Sequence, residues 1–127
     1  MPSTITVCST CRIGLEREDK ALPPKGEAFF AVLQAVVAGR SKLSLRQVNC
    51  LMGCDHGCNV AITAPGKMTY VLGGFDGSLD DAEGIAAYAE AHSNSASGAV
   101  PFKEWPQQVK GHFIARVPPA DEMVPNL

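Results

Sequence analysis

Five cysteines fall into two tight groups. Cys8 and Cys11 bracket Ser9-Thr10, and Cys50, Cys54 and Cys58 follow in C-x3-C-x3-C spacing. Thirty-eight residues separate Cys11 from Cys50. A thiolate can be a nucleophile, a soft metal ligand or one half of a disulfide. An odd number of cysteines fits a disulfide framework poorly. The start, MPSTITVCSTCR, has no basic segment followed by an apolar one, so no secretory signal is read there. The expected compartment is the cytoplasm, where thiols stay reduced. Packing as small buried hydrophobes is the bland alternative for one or two thiols. It does not account for five thiols in two clusters.

Four thiolates suit either a zinc ion or an iron-sulfur cluster. Structural zinc sites commonly draw on two C-x2-C-like knuckles. The second group here has three residues between its cysteines, twice, and a fifth thiol is present. Both features lean towards a cluster, with zinc as the alternative. Gly53 and Gly57 remove side chains where backbone must pass a bulky group, and they leave amides to donate to sulfur. Leu51 and Met52 can shield one side from water. The Cys8-Ser9-Thr10-Cys11 pair also has the form of a dithiol redox motif, which makes a thiol-disulfide oxidoreductase the third reading. That chemistry needs two thiols only. Arg12 reads equally as a screen for the charge of a reduced cluster and as a solvated surface arginine. His56 reads as a solvated loop residue ahead of a ligand or tuning role, and His92 and His112 receive no role.

Composition bounds the rest. A chain of 127 residues has room for one domain with a real core. With 46% hydrophobic and 19% charged residues it is globular in composition. The net charge is -2, and the eleven basic residues are scattered, which excludes nucleic-acid binding as an expectation. The longest apolar run, Ala28 to Ala38, is interrupted by Gln34 and is too short to span a bilayer. No phosphate-binding glycine motif or G-x-S-x-G is present, and no catalytic set is expected.

The elements that must position the thiols can be read from pattern. Thr4 to Val7 is short and β-branched, a strand that ends at Cys8. Phe29, Val32, Leu33 and Val36 recur at helical spacing from Glu27, and Gly39 ends that helix. Leu43 to Val48 alternates and leads to Cys50. Val60 to Thr63 and Met68 to Leu72 form a hairpin around Pro65-Gly66. Ser78 caps a second helix whose apolar stripe is Leu79, Ala82, Ile85, Ala86 and Ala89. Ser93 to Gly98 reads as a linker. The order β-α-β-β-β-α implies an α/β fold, a mixed sheet of about four strands with helices packed on it, which resembles the thioredoxin-like architecture. Its first two strands should be parallel neighbours, so Cys8 and Cys11 would leave the sheet at the same edge as Cys50 and Cys54. Residues 1–95 are expected to form the cluster-binding domain. Residues 96–127, with Trp105, Phe113, Ile114 and five prolines, are expected to pack on it, with a short helix near Pro106 to Gly111.

At the motif level, Cys50-Leu51-Met52-Gly53-Cys54-Asp55-His56-Gly57, Val60-Ala61-Ile62 and Pro65-Gly66-Lys67-Met68-Thr69-Tyr70 resemble the loop and hairpin of thioredoxin-like [2Fe-2S] ferredoxins. The CSTCR start, the C-x3-C-x3-C run, APGKMTYVLG and the closing ARVPP resemble the DUF1636 group of metal-binding proteins over nearly the full length. The resemblance implies a ferredoxin-like electron carrier rather than an enzyme, with a redox partner protein. By the same resemblance a homodimer and electron delivery to cobalt or corrinoid chemistry are expected. Cys8, Cys50 and Cys54 carry over as cluster ligands, and Cys11 joins them by proximity. The ferredoxins space their first two ligands farther apart than Cys8 and Cys11 and usually have proline at position 58. Cys58 is therefore the spare thiol, and it is also the candidate to replace Cys11.

Overall fold

The structure is a computed structural model, and it describes residues 2–8, 25–48, 59–75 and 77–119. Five strands, β1 (Ser3–Cys8), β2 (Leu43–Val48), β3 (Val60–Thr63), β4 (Thr69–Leu72) and β5 (Phe113–Val117), form one sheet in the order β2-β1-β3-β4-β5. β1 and β2 are parallel, and every other neighbouring pair is antiparallel. Helix α1 (Lys25–Val37) crosses from β1 to β2, and α2 (Leu79–Asn94) follows β4. The two helices pack against each other and both against β1, so they lie side by side on one face of the sheet.

Strand alternation sorts the sheet residues. Ser3 bonds to α2 through His92, so Ser3, Ile5 and Val7 face the helices. Ile5 and Val7 have no exposed surface, and neither do Val60, Ile62 and Leu72 across the sheet. Phe29 and Leu33 of α1 and Ile85, Ala86 and Ala89 of α2 close over them. Each large side chain so buried contributes about 1.5–3 kcal/mol. The Ser78 side chain caps α2, accepting from the Asp81 N–H at 3.1 Å, with Asp80 and Asp81 in the favourable first turn.

Three features differ from the sequence expectation. Leu79 is 57% exposed, so the buried stripe of α2 starts at Ala82 and includes Tyr88 and His92 instead. The helix also runs through Ser93 and Asn94. The Lys67 ammonium donates to the carbonyls of Ser93 and His92 at 2.6 and 3.2 Å, adding a side-chain donor at the last helical turn, where the His92 oxygen also accepts from the Ser95 N–H. Finally, the segment after Gly98 supplies a fifth strand. Its expected short helix is a 3-10 turn over Gln107–Val109, and β5 then pairs with β4.

Aromatic packing holds that segment down. Trp105 and Phe113 are in contact at 4.5 Å between centroids, and both meet Tyr88. His112 stacks on Phe75 at 4.3 Å, and its Nδ1–H donates to the Gly73 carbonyl at 2.8 Å. Tyr88 is fully buried, yet its hydroxyl has no hydrogen-bond partner among the described residues. Burial, then the charge of the neighbouring Tyr70 and a contact with its hydroxyl that falls short of a full hydrogen bond, push its phenol pKa well above the ordinary range. An unpaired buried hydroxyl costs about 1–3 kcal/mol. Tyr88→Phe is therefore expected to leave the melting temperature unchanged or raise it. Tyr88→Ala, which opens a cavity, should lose about 3–5 kcal/mol in denaturant titration. A marked loss in Tyr88→Phe would show that the hydroxyl is bonded after all.

Candidate functional site

β1 and β2 run in register from Ser3 opposite Leu43 to Cys8 opposite Val48. On the other side of β1, Val7 lies opposite Val60 of β3, and the Cys8 N–H donates to the Asn59 carbonyl at 3.2 Å. Val48, Cys8 and Asn59 thus stand abreast at one end of three adjacent strands, with about 4.8 Å between neighbouring strands. Cys11 comes three residues after Cys8 in sequence, Cys50 two after Val48, and Cys58 one before Asn59.

Of the predicted site residues, Cys8 is described. Cys11, Cys50, Cys54 and Cys58 lie outside the described residues, as do Arg12 and His56. Among the described residues, no three His, Cys, Asp or Glu side chains gather in a metal-binding group. Cys8 is 2% exposed and continuous with the apolar core. Its sulfur is therefore removed from bulk water.

Residues 5–119 match the family described as "Protein of unknown function (DUF1636)". The chain belongs to the DUF1636 family. No curated protein matches it. Its structure is similar to that of a thioredoxin-like [2Fe-2S] ferredoxin from Aquifex aeolicus, with a TM-score of 0.55. The similarity covers 96% of this chain and 98% of that one at 14% identity. At such an identity the likeness shows the fold alone, and the fold is the expected thioredoxin-like α/β arrangement, with the parallel β1–β2 pair at one edge of the sheet.

Two residues of this DUF1636 chain next to Cys8 were not singled out from sequence. Asn59 is 1% exposed, and its side-chain oxygen has no hydrogen-bond partner among the described residues. By alternation it shares a face with Cys8, Thr6 and Ala61. Its only sequence signal was its position beside Cys58. Arg46 lies on that same face, and its Nε–H donates to the Thr6 hydroxyl at 2.7 Å. That bond fixes a permanent positive charge one pleat repeat from the Val48–Cys8 edge, where it can offset negative charge. The sequence reading gave that screening role to no β2 residue, since the partner hydroxyl comes from another strand.

His92 belongs elsewhere. It meets Ser3, at the opposite end of β1 from Cys8 and roughly 16 Å away for five residues of strand. Its Nε2–H donates to the Met68 carbonyl at 2.7 Å, which leaves Nδ1 to accept from the Ser3 hydroxyl at 2.7 Å. Gly98 makes room for it: φ is +85°, and a Cβ there would sit 2.8 Å from Nε2. Burial lowers the His92 pKa from 6.5. The Met68 bond opposes the shift, and the Lys67 charge adds to it. His92 is a neutral structural pin that ties α2 to the start of β1, the strand end opposite Cys8.

No helix among the described residues is long and apolar enough to cross a membrane.

Proposed function

We propose that this chain is a ferredoxin-like electron carrier that holds a [2Fe-2S] cluster through Cys8, Cys11, Cys50 and Cys54, with Cys58 as the fifth, spare thiol. The observation that supports this most is the parallel, in-register pairing that sets Cys8 beside Val48, two residues before Cys50. Two peptide units reach at most about 7 Å, and three at most about 11 Å. Cys50 and Cys11 are therefore tethered within a short distance of the buried Cys8 sulfur. Cys58 is tethered closer still, through Asn59. The donor set is all sulfur, which suits iron-sulfur clusters and zinc better than hard cations.

A bound [2Fe-2S] cluster supplies one-electron redox chemistry. The chain's part is to ligate, to exclude water and to set the charge around the sulfurs. Cys8 offers a buried sulfur, and Arg46 offers a fixed cation on the same face. The low exposure of Cys8 speaks against a dithiol oxidoreductase, whose attacking thiolate must meet its substrate at the surface. The electron acceptor is a protein partner, and cobalt or corrinoid reduction is the chemistry that the family resemblance suggests for it.

Anaerobic reconstitution with iron and sulfide tests the proposal. The expected product holds about two irons and two acid-labile sulfides per chain, with visible charge-transfer absorption and an EPR signal on reduction. A colourless protein with one tightly held zinc and no labile sulfide would replace the carrier by a structural zinc or metal-delivery protein.

A further inference from the structure

We propose that the Asn59 carboxamide donates a hydrogen bond to the Cys8 sulfur and so sets the reduction potential of the centre that Cys8 ligates. This rests on the cluster-carrier reading above. It concerns two described residues whose relative placement the sheet fixes. The Val7–Val60 register and the 3.2 Å bond from the Cys8 N–H to the Asn59 carbonyl make Cys8 and Asn59 direct cross-strand neighbours. Such neighbours point to the same face, with Cβ atoms about 4.5–5.5 Å apart. An asparagine amide and a cysteine sulfur span that gap comfortably.

The second observation is a polar group without a partner. Asn59 is 1% exposed, and its Oδ1 is buried with no donor to bond among the described residues. An apolar residue would fill the same space without that penalty of about 1–3 kcal/mol. A carboxamide is nearly symmetric in shape. Turning it end for end puts its NH2, a pair of donors, where the unpaired oxygen stands. A thiolate is an acceptor, and it gains most from a donor in a site closed to water. The buried oxygen is thus unmatched where it stands, whereas an NH2 in its place would match a metal-bound thiolate. Hydrogen bonds to ligand sulfurs stabilise the more negative, reduced state and raise the potential. Asn59 is a positioning and tuning residue in this scheme, not a ligand.

The test compares reconstituted wild-type protein with Asn59→Leu and Asn59→Asp. Both variants should keep the wild-type iron and sulfide content and show a more negative midpoint in spectroelectrochemical titration. The shift should be larger in Asn59→Asp, which removes the donor and adds negative charge. Pulsed EPR on reduced wild-type protein labelled with 15N only in asparagine side-chain amides supplies a measurement without mutation, should either variant fail to fold. A hyperfine coupling from that nitrogen is expected, and it should vanish in Asn59→Leu. Unchanged midpoints, or no such coupling in a loaded cluster, overturn this inference and leave the carrier reading standing. Wild-type protein that takes up neither iron nor sulfide overturns the carrier reading itself.

Discussion

Cys8→Ala and Cys50→Ala are each expected to abolish cluster assembly, cutting iron and sulfide by more than the roughly 10–100-fold affinity loss typical of supporting residues alone. Cys8 closes β1, and Cys50 follows β2 by two residues, so the proposed centre bridges adjacent strand ends that the sheet holds in register. Removing a ligand from either strand leaves three sulfurs at most from the proposed set. Cys54→Ala should behave alike. Cys11→Ala should lose the cluster, and Cys58→Ala should retain it. The reverse pair of results would make Cys58 the fourth ligand, consistent with its place one residue before Asn59. Alanine is the informative replacement, since a serine oxygen can itself ligate iron. Apo-protein circular dichroism separates ligand loss from misfolding, because Cys8 is itself a core residue and its truncation should cost about 1 kcal/mol of stability. Full iron and sulfide in either Cys8→Ala or Cys50→Ala would end the proposal that these two strands share one centre.

The second large effect is expected at His92. Its ring has no exposed surface and bonds the Ser3 hydroxyl and the Met68 carbonyl at 2.7 Å each. Tyr70 lies edge-on to it at 6.0 Å, and Lys67 binds the carbonyls of His92 and Ser93 beside it. His92→Leu leaves the Ser3 hydroxyl and the Met68 carbonyl without this partner, and a loss of about 2–4 kcal/mol in denaturant titration is expected. The folded-state pKa is lowered, mainly by burial, from the ordinary 6.5. The unfolded chain therefore takes up a proton at a pH where the folded chain does not. The stabilisation is fully present above pH 6.5 and is lost as pH falls below it towards the folded-state pKa. Wild-type stability should fall between pH 7 and 5 more steeply than that of His92→Leu. Identical slopes in the two proteins, or an NMR titration that places the His92 midpoint at or above the ordinary value, would refute the neutral-pin assignment.

Local pattern determined a good deal of this protein. β2 and β3 have the bounds that alternation and β-branching set, and Ser78 caps α2 as its residue type requires. Secondary structure with a clear period is legible because neighbouring side chains see the same two environments, core and water. The sulfur-rich character of the site is legible for a similar reason: ligand chemistry is a property of residue type, and two clusters of thiols are seldom needed for packing.

The tertiary structure alone decided the rest. Residues 113–117 have no strand periodicity that stands apart from the proline-rich tail. They become β5 because β4 presents an open hydrogen-bonding edge and because Trp105 and Phe113 dock on Tyr88. His92 gained its place from Ser3 and Met68, which lie 89 and 24 residues away along the chain. Asn59 became notable only once the β1–β3 register set it opposite Cys8. Each of these is a contact between residues distant in sequence, and its energy depends on burial and on a partner's position, neither of which any local window of sequence contains.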